Sequence, residues 1–115
     1  MTSPFVLPGG AVGPIHTKLT TTGATVVAGD AEYQIPVVWF QCTEISGNTP
    51  ALTIEVYNAT TGLIYYLRNA KAMTAKEEVF KEGIFLDKNE FLRITASVAN
   101  QVDVVGMAGL GNTLG

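Results

Sequence analysis

Cysteine and histidine each occur once in the 115 residues, as Cys42 and His16. A single cysteine cannot close an internal disulfide, which excludes a stapled secreted scaffold. One Cys and one His also fall short of the roughly four converging ligands of a structural zinc site. Cys42 lies inside the apolar run "VVWFQC", where a small buried core residue is its plainest role. A Cys42–His16 nucleophile–base pair would set the nucleophile in the middle of a core strand, so His16 is expected to be a strand or interface residue bonded to a neighbour.

Positive charge is equally sparse. Lys and Arg number 7 against 10 Asp and Glu, giving a net charge of −3. The cations are scattered, with no basic run or stripe. That speaks against a phosphate-reading nucleic-acid interface and against a polybasic membrane contact. No apolar run approaches the ~20 residues of a membrane helix. The first residues carry no positive leader region, and "SPFVLPGGAVGP" is broken by Pro and Gly before an apolar stretch can form, so the chain is expected to fold in a cytoplasm.

Signatures of chemistry are missing too. "GMAGLG" has the wrong glycine order for a dinucleotide fingerprint, and "GGAVG" precedes no Lys-Ser or Lys-Thr pair. "DKNE" (Asp87, Asn89, Glu90) is the best cation candidate, but it lacks the Gly and distal Glu of an EF-hand loop and reads as a solvated turn. Glu44 and Glu55 near strand ends could form a carboxylate pair, yet nothing nearby raises either pKa, and both read as solvated strand carboxylates. Glu77, Glu78, Lys76 and Lys81 read as a solvated face. Asn58-Ala59-Thr60 matches a glycosylation sequon, which matters only in a secreted eukaryotic chain. No cofactor, metal or enzymatic activity is expected.

What the sequence does have is apolar residues: 47% of the total, against 15% charged, with a mean hydropathy of +0.27. One domain of this length can bury a core unaided, but so much apolar surface is hard to cover in a monomer. Burial against partner subunits is the simplest relief.

Between residues 15 and 115 the pattern is β. "HTKLTTTGATVVAG" reads as two short strands or one bent strand. In "VVWFQCTEIS", Val38, Phe40 and Cys42 share one face and Val37, Trp39, Gln41 and Thr43 the other. "LTIEVYN" alternates with Leu52, Ile54 and Val56 inward. "NATTG" then marks a hairpin into "LIYYLRN", where Leu63, Tyr65 and Leu67 oppose Ile64, Tyr66 and Arg68. "AKAMTAKEEVFKEG" has helix-forming residues but no helical stripe, and reads as an irregular connection or edge strand with room for one helical turn. "GIFL" and "FLRITASVA" flank the polar "DKNE" turn, with Leu92, Ile94, Ala96 and Val98 on one face. Asn100 suits positive φ, and "VDVVGMAGL" returns. The expected fold is all-β: an antiparallel, jelly-roll-like β-sandwich of about seven or eight strands, preceded by an extended N-terminal arm over residues 1–14.

The arm "MTSPFVLPGGAVGP" is too oily for a solvated tail. Pro4 and Pro8 restrict the backbone around Phe5, Val6 and Leu7, lowering the cost of ordering it in a groove on a neighbour. Tyr57, Tyr65 and Tyr66 cluster at the hairpin as a second contact patch, since Tyr is enriched at interfaces. The same rings could stack on sugars, as in a carbohydrate-binding module.

One stretch, about a quarter of the chain, "EGIFLDKNEFLRITASVANQVDVVGMAGL", runs an apolar strand, a polar turn, a long strand and a return together. With the acidic, Thr- and Val-rich composition and the Gly/Pro arm, it resembles the closing hairpin of small β-sandwich structural proteins of tailed-bacteriophage virions. The resemblance implies a non-enzymatic virion component assembled in the host cytoplasm. A capsid decoration (cement) protein comes first, a homo-oligomer of the kind commonly trimeric, bridging capsomers of the major capsid protein. A neck, tail or fibre-attachment subunit is the alternative.

Overall fold

β-branched and aromatic residues in alternation pack well on a pleated surface, and the chain forms strands wherever that alternation occurs. The computed structural model describes residues 12–21 and 24–109. Among them are eight strands: β1 (Val12–Lys18), β2 (Ala24–Val27), β3 (Ile35–Glu44), β4 (Ala51–Asn58), β5 (Ile64–Ala72), β6 (Glu78–Leu86), β7 (Glu90–Ala96) and β8 (Val102–Gly109). Two four-stranded antiparallel sheets result, a front sheet ordered β1-β8-β3-β6 and a back sheet ordered β2-β7-β4-β5. The pairing is nested: β1 with β8, β2 with β7, β3 with β6, β4 with β5, while β3–β8 and β4–β7 join these pairs into sheets.

The sheets close on one core. Phe40, Leu52, Ile54, Leu92, Ile94, Val102 and Val104 have essentially no solvent contact, and each such side chain contributes about 1.5–3 kcal/mol of burial. The alternations expected for β4 and β7 hold within the strands: Leu52, Ile54 and Val56 face in, as do Leu92, Ile94 and Ala96. Val98, expected on the same face, lies past the end of β7 and is exposed because the alternation stops with the strand. The "HTKLTTTGATVVAG" stretch divides between β1 in the front sheet and β2 in the back sheet. No helix forms in "AKAMTAKEEVFKEG". β5 runs to Ala72, Met73 is buried, and a turn closed by Glu77 N–H on the Thr74 carbonyl leads into β6. Asn89 (φ 62°) and Asn100 (φ 65°) occupy the left-handed region at the β6–β7 and β7–β8 turns, as Asn does most readily after Gly.

Two faces differ from the expected alternation, both because of bulges. β3 shifts register against β8 between Val37 and Trp39. Val37 therefore joins Ile35, Phe40 and Cys42 in the core, while Trp39 points out. On the other side of β3, Gly83 of β6 has φ 67°, so Ile84 and Leu86 face in and Phe85 lies outward at 68% exposure. β5 shifts twice against β4, which sets Tyr65 opposite inward Val56, Tyr66 opposite outward Glu55, and Arg68 opposite inward Ile54. Arg68 thus leaves the face it shares with Tyr66 in strict alternation. Its guanidinium donates to the Lys71 and Ala72 carbonyls and approaches Glu77 at 3.6 Å.

Phe5, Val6 and Leu7 lie outside the described residues. Val12, Gly13 and Pro14, assigned from sequence to the arm, belong to β1. Pro14 is tolerated there because β1 is an edge strand, where a missing N–H can face solvent.

Candidate functional site

The groups tested for chemistry are dispersed. Cys42 is fully buried, and desolvation pushes its thiol up to about 12 despite the nearby charges of Arg68 and Lys81. His16 is exposed on the outer face of the front sheet, opposite Val105, so the two do not meet. Nor do Glu44 and Glu55. Glu55 faces out from the back sheet and accepts from Arg93 Nε at 2.9 Å and from Nη2.

Glu44 is not the solvated carboxylate the sequence suggests. It is the one charged side chain with no solvent contact among the described residues. Burial alone raises its pKa. The Ser46 hydroxyl and the backbone N–H groups of Lys76 (3.0 Å), Ser46 (3.0 Å) and Gly47 (2.8 Å) more than offset this, holding it at about 2. Lys76 sits at φ 61° to aim its N–H, and its ammonium bonds the Ile45 carbonyl. Glu44 therefore clamps the β3–β4 turn to the β5–β6 turn. Nothing in the sequence marks the role, because Lys76 is far along the chain.

"DKNE" is the β6–β7 turn. Asp87 accepts from the Lys88 N–H (2.8 Å) and Gln34 (3.3 Å), which keep its carboxyl below the ordinary range. Glu90 accepts from the Asp87 N–H. Among the described residues no group of His, Cys, Asp and Glu is arranged to hold a metal, and no helix is long and apolar enough to cross a membrane. A cavity of about 170 Å³ between the sheets, near the start of β1 and the end of β8, is lined by Ile15, Val26, Val27, Ile35, Ala108 and neighbouring Gly, Pro and Ala residues. That lining offers no acid, base or ligand.

The outer faces carry more information. On the back sheet, Tyr57 packs against Phe91 with ring centroids 6.5 Å apart, and the Arg93 guanidinium lies 4.2 Å over the Tyr57 ring. Tyr66 shares this face, across from Glu55. Tyr65 points to the other side of β5 and is equally exposed. The three tyrosines are thus near one another in the β4–β5 hairpin but do not form one platform.

On the front sheet, the outward rows read across β1, β8, β3 and β6 as Pro14, Met107, Trp39, Glu82; then His16, Val105, Gln41, Phe80; then Lys18, Asp103, Thr43, Glu78. Trp39 and Phe80 stack with centroids 6.0 Å apart at 21°. Phe80 is 51% exposed, and Val105 and Met107 are each 41% exposed. Sequence alternation separated Trp39 from Phe40 and Cys42 but did not reveal that Phe80, Val105 and Met107 would gather around it. No protein-family model matches the chain, and no curated protein or solved structure matches it.

Proposed function

We propose that this chain is a non-enzymatic structural protein of a virion, a capsid decoration subunit that binds its own copies and the major capsid protein and holds neighbouring capsomers together. The observation that carries the reading is the nested pairing of first strand with last through fourth with fifth. We read it as a jelly roll, an eight-stranded architecture that recurs in viral capsid and lectin domains. Exposed apolar side chains on a small acidic domain support an assembling role. In this reading Phe5, Val6 and Leu7 cross a subunit boundary, and Tyr57, Tyr65 and Tyr66 supply a second contact. A neck, tail or fibre-attachment subunit would use the same surfaces, and immunolabelling of virions in the electron microscope separates the locations.

A major capsid or portal gene beside this one is the expected genomic setting, and a non-viral setting overturns the proposal. Deleting residues 2–11, which spares β1, should abolish binding to shells of the neighbouring capsid protein. Full affinity after the deletion would refute the role of the arm.

A carbohydrate-binding module is the second reading, favoured by Tyr57, Tyr66 and Arg93 on one outer face. It predicts glycan-array binding that Tyr66→Ala removes and Tyr65→Ala, on the opposite side of the strand, leaves in place.

A further inference from the structure

We propose that the outer face of the front sheet is a self-association surface on which two copies of this chain pack about a two-fold axis parallel to the strands. The proposal is independent of the virion reading.

The first support is the composition of the face. Trp39 on the inner strand β3 stacks on Phe80 of the edge strand β6, flanked by Val105 and Met107 and extended by Phe85, while Lys18, Asp103, Glu78 and Glu82 stand at the margins. An apolar, aromatic centre inside a charged rim is the anatomy of a protein interface, and stacked aromatics are typical energetic anchors.

The second is size. Phe80, Phe85, Val105 and Met107 alone leave on the order of 400 Å² of apolar surface on each copy. Partly exposed Trp39, Pro14, His16 and the rim bring the face to the ~800 Å² per partner of a standard interface.

The third is charge, which selects the axis. A two-fold parallel to the strands reverses their order, so that β1 lies over β6 of the second copy and β8 over its β3. Lys18, at the end of β1 and paired with Asp103 of its own copy at 2.5 Å, then also faces Glu78 of the second copy, and symmetry makes this contact twice. Met107 meets Trp39 of the second copy, a sulfur–aromatic contact, and His16 meets its Phe80. Glu82 falls over Pro14 at the rim, where it keeps its water. The other in-plane axis, running across the strands, lays each strand over its own copy and sets Glu78 against Glu82 twice. Like charges in that position oppose association.

The test is sedimentation velocity on the full chain from micromolar to millimolar concentration. The wild type is expected to dimerise. Phe80→Glu should weaken the dimer by about tenfold or more. Lys18→Glu and Glu78→Lys should each weaken it alone, because each makes two like-charge pairs. A one-to-one mixture of those two variants should restore it, since the mixed dimer carries one pair of each polarity. Repulsion between Glu at position 18 and Asp103 is the same alone and mixed, so restoration reads the intermolecular pair. If Phe80→Glu does not fold, the rim variants, both at exposed positions, still decide. A wild type that stays monomeric at millimolar concentration, variants that associate as tightly as wild type, or a mixture no tighter than its components would each overturn the proposal.

Discussion

On the back sheet, Arg93 reaches across to Glu55 and lies over the Tyr57 ring, which itself packs on Phe91. On the front sheet, Trp39 and Phe80 stack in the open beside Val105 and Met107, and the charged groups stand at the edges. Both faces arise from the same two-residue alternation and both hold an ion pair, Arg93–Glu55 behind and Lys18–Asp103 in front, yet the front face also leaves Phe80, Phe85, Val105 and Met107 as apolar area for something to cover. An outward position is therefore not a property of one residue. The chemistry of a face is set by which outward residues the register brings side by side.

The largest effect on this contrast is expected at Gly106, which lies beneath the front face where β8 passes β3. A Cβ there would come 2.3 Å from the Trp39 carbonyl and 2.7 Å from Phe40 Cβ. Gly106→Ala should cost about 1–3 kcal/mol by overpacking, read as a lowered denaturation midpoint. It should also disturb the Trp39–Phe80 stack, read in near-ultraviolet circular dichroism.

The next tests the clamp at the end of β3. Glu44 has its pKa lowered from the usual 4.5 to about 2. Its contribution is thus fully present above about pH 4.5 and is lost as pH falls toward 2. Glu44→Gln should be less stable at neutral pH and should flatten the acid limb of a melting-temperature profile. A variant whose acid limb parallels the wild type would show that Glu44 is not the titrating clamp.

The smallest effect belongs to the back face. Arg93→Ala should cost about 1 kcal/mol, since a partly exposed ion pair and a cation–π contact are each worth little. A double-mutant cycle with Glu55→Gln would apportion it. Self-association should not change, and if it did, the contrast between the two faces would be wrong.

Much of this was legible in the sequence. Leu52, Ile54 and Val56, and Leu92, Ile94 and Ala96, announce inward faces because successive Cβ atoms alternate across any strand. The turns at "DKNE" and Asn100 follow from residues that tolerate positive φ. Strict alternation misplaces Val37 and Arg68 because a bulge adds one residue on one strand only, and its position depends on the strand opposite. The burial of Glu44 is not legible in the sequence because the Lys76 N–H that helps hold it belongs to a distant turn.

The sequence by itself determined that the described residues fold as strands and turns without helix, where most of the turns fall, and most of the residues that each strand hides. These are local matters of side-chain shape, alternation and backbone freedom. Tertiary structure alone decided which strands share a sheet, where the bulges fall, which carboxylate is buried, and that Trp39, Phe80, Val105 and Met107 meet on one face. Those outcomes depend on hydrogen-bond register between segments far apart in the chain, and a one-residue slip in that register turns a side chain from core to solvent.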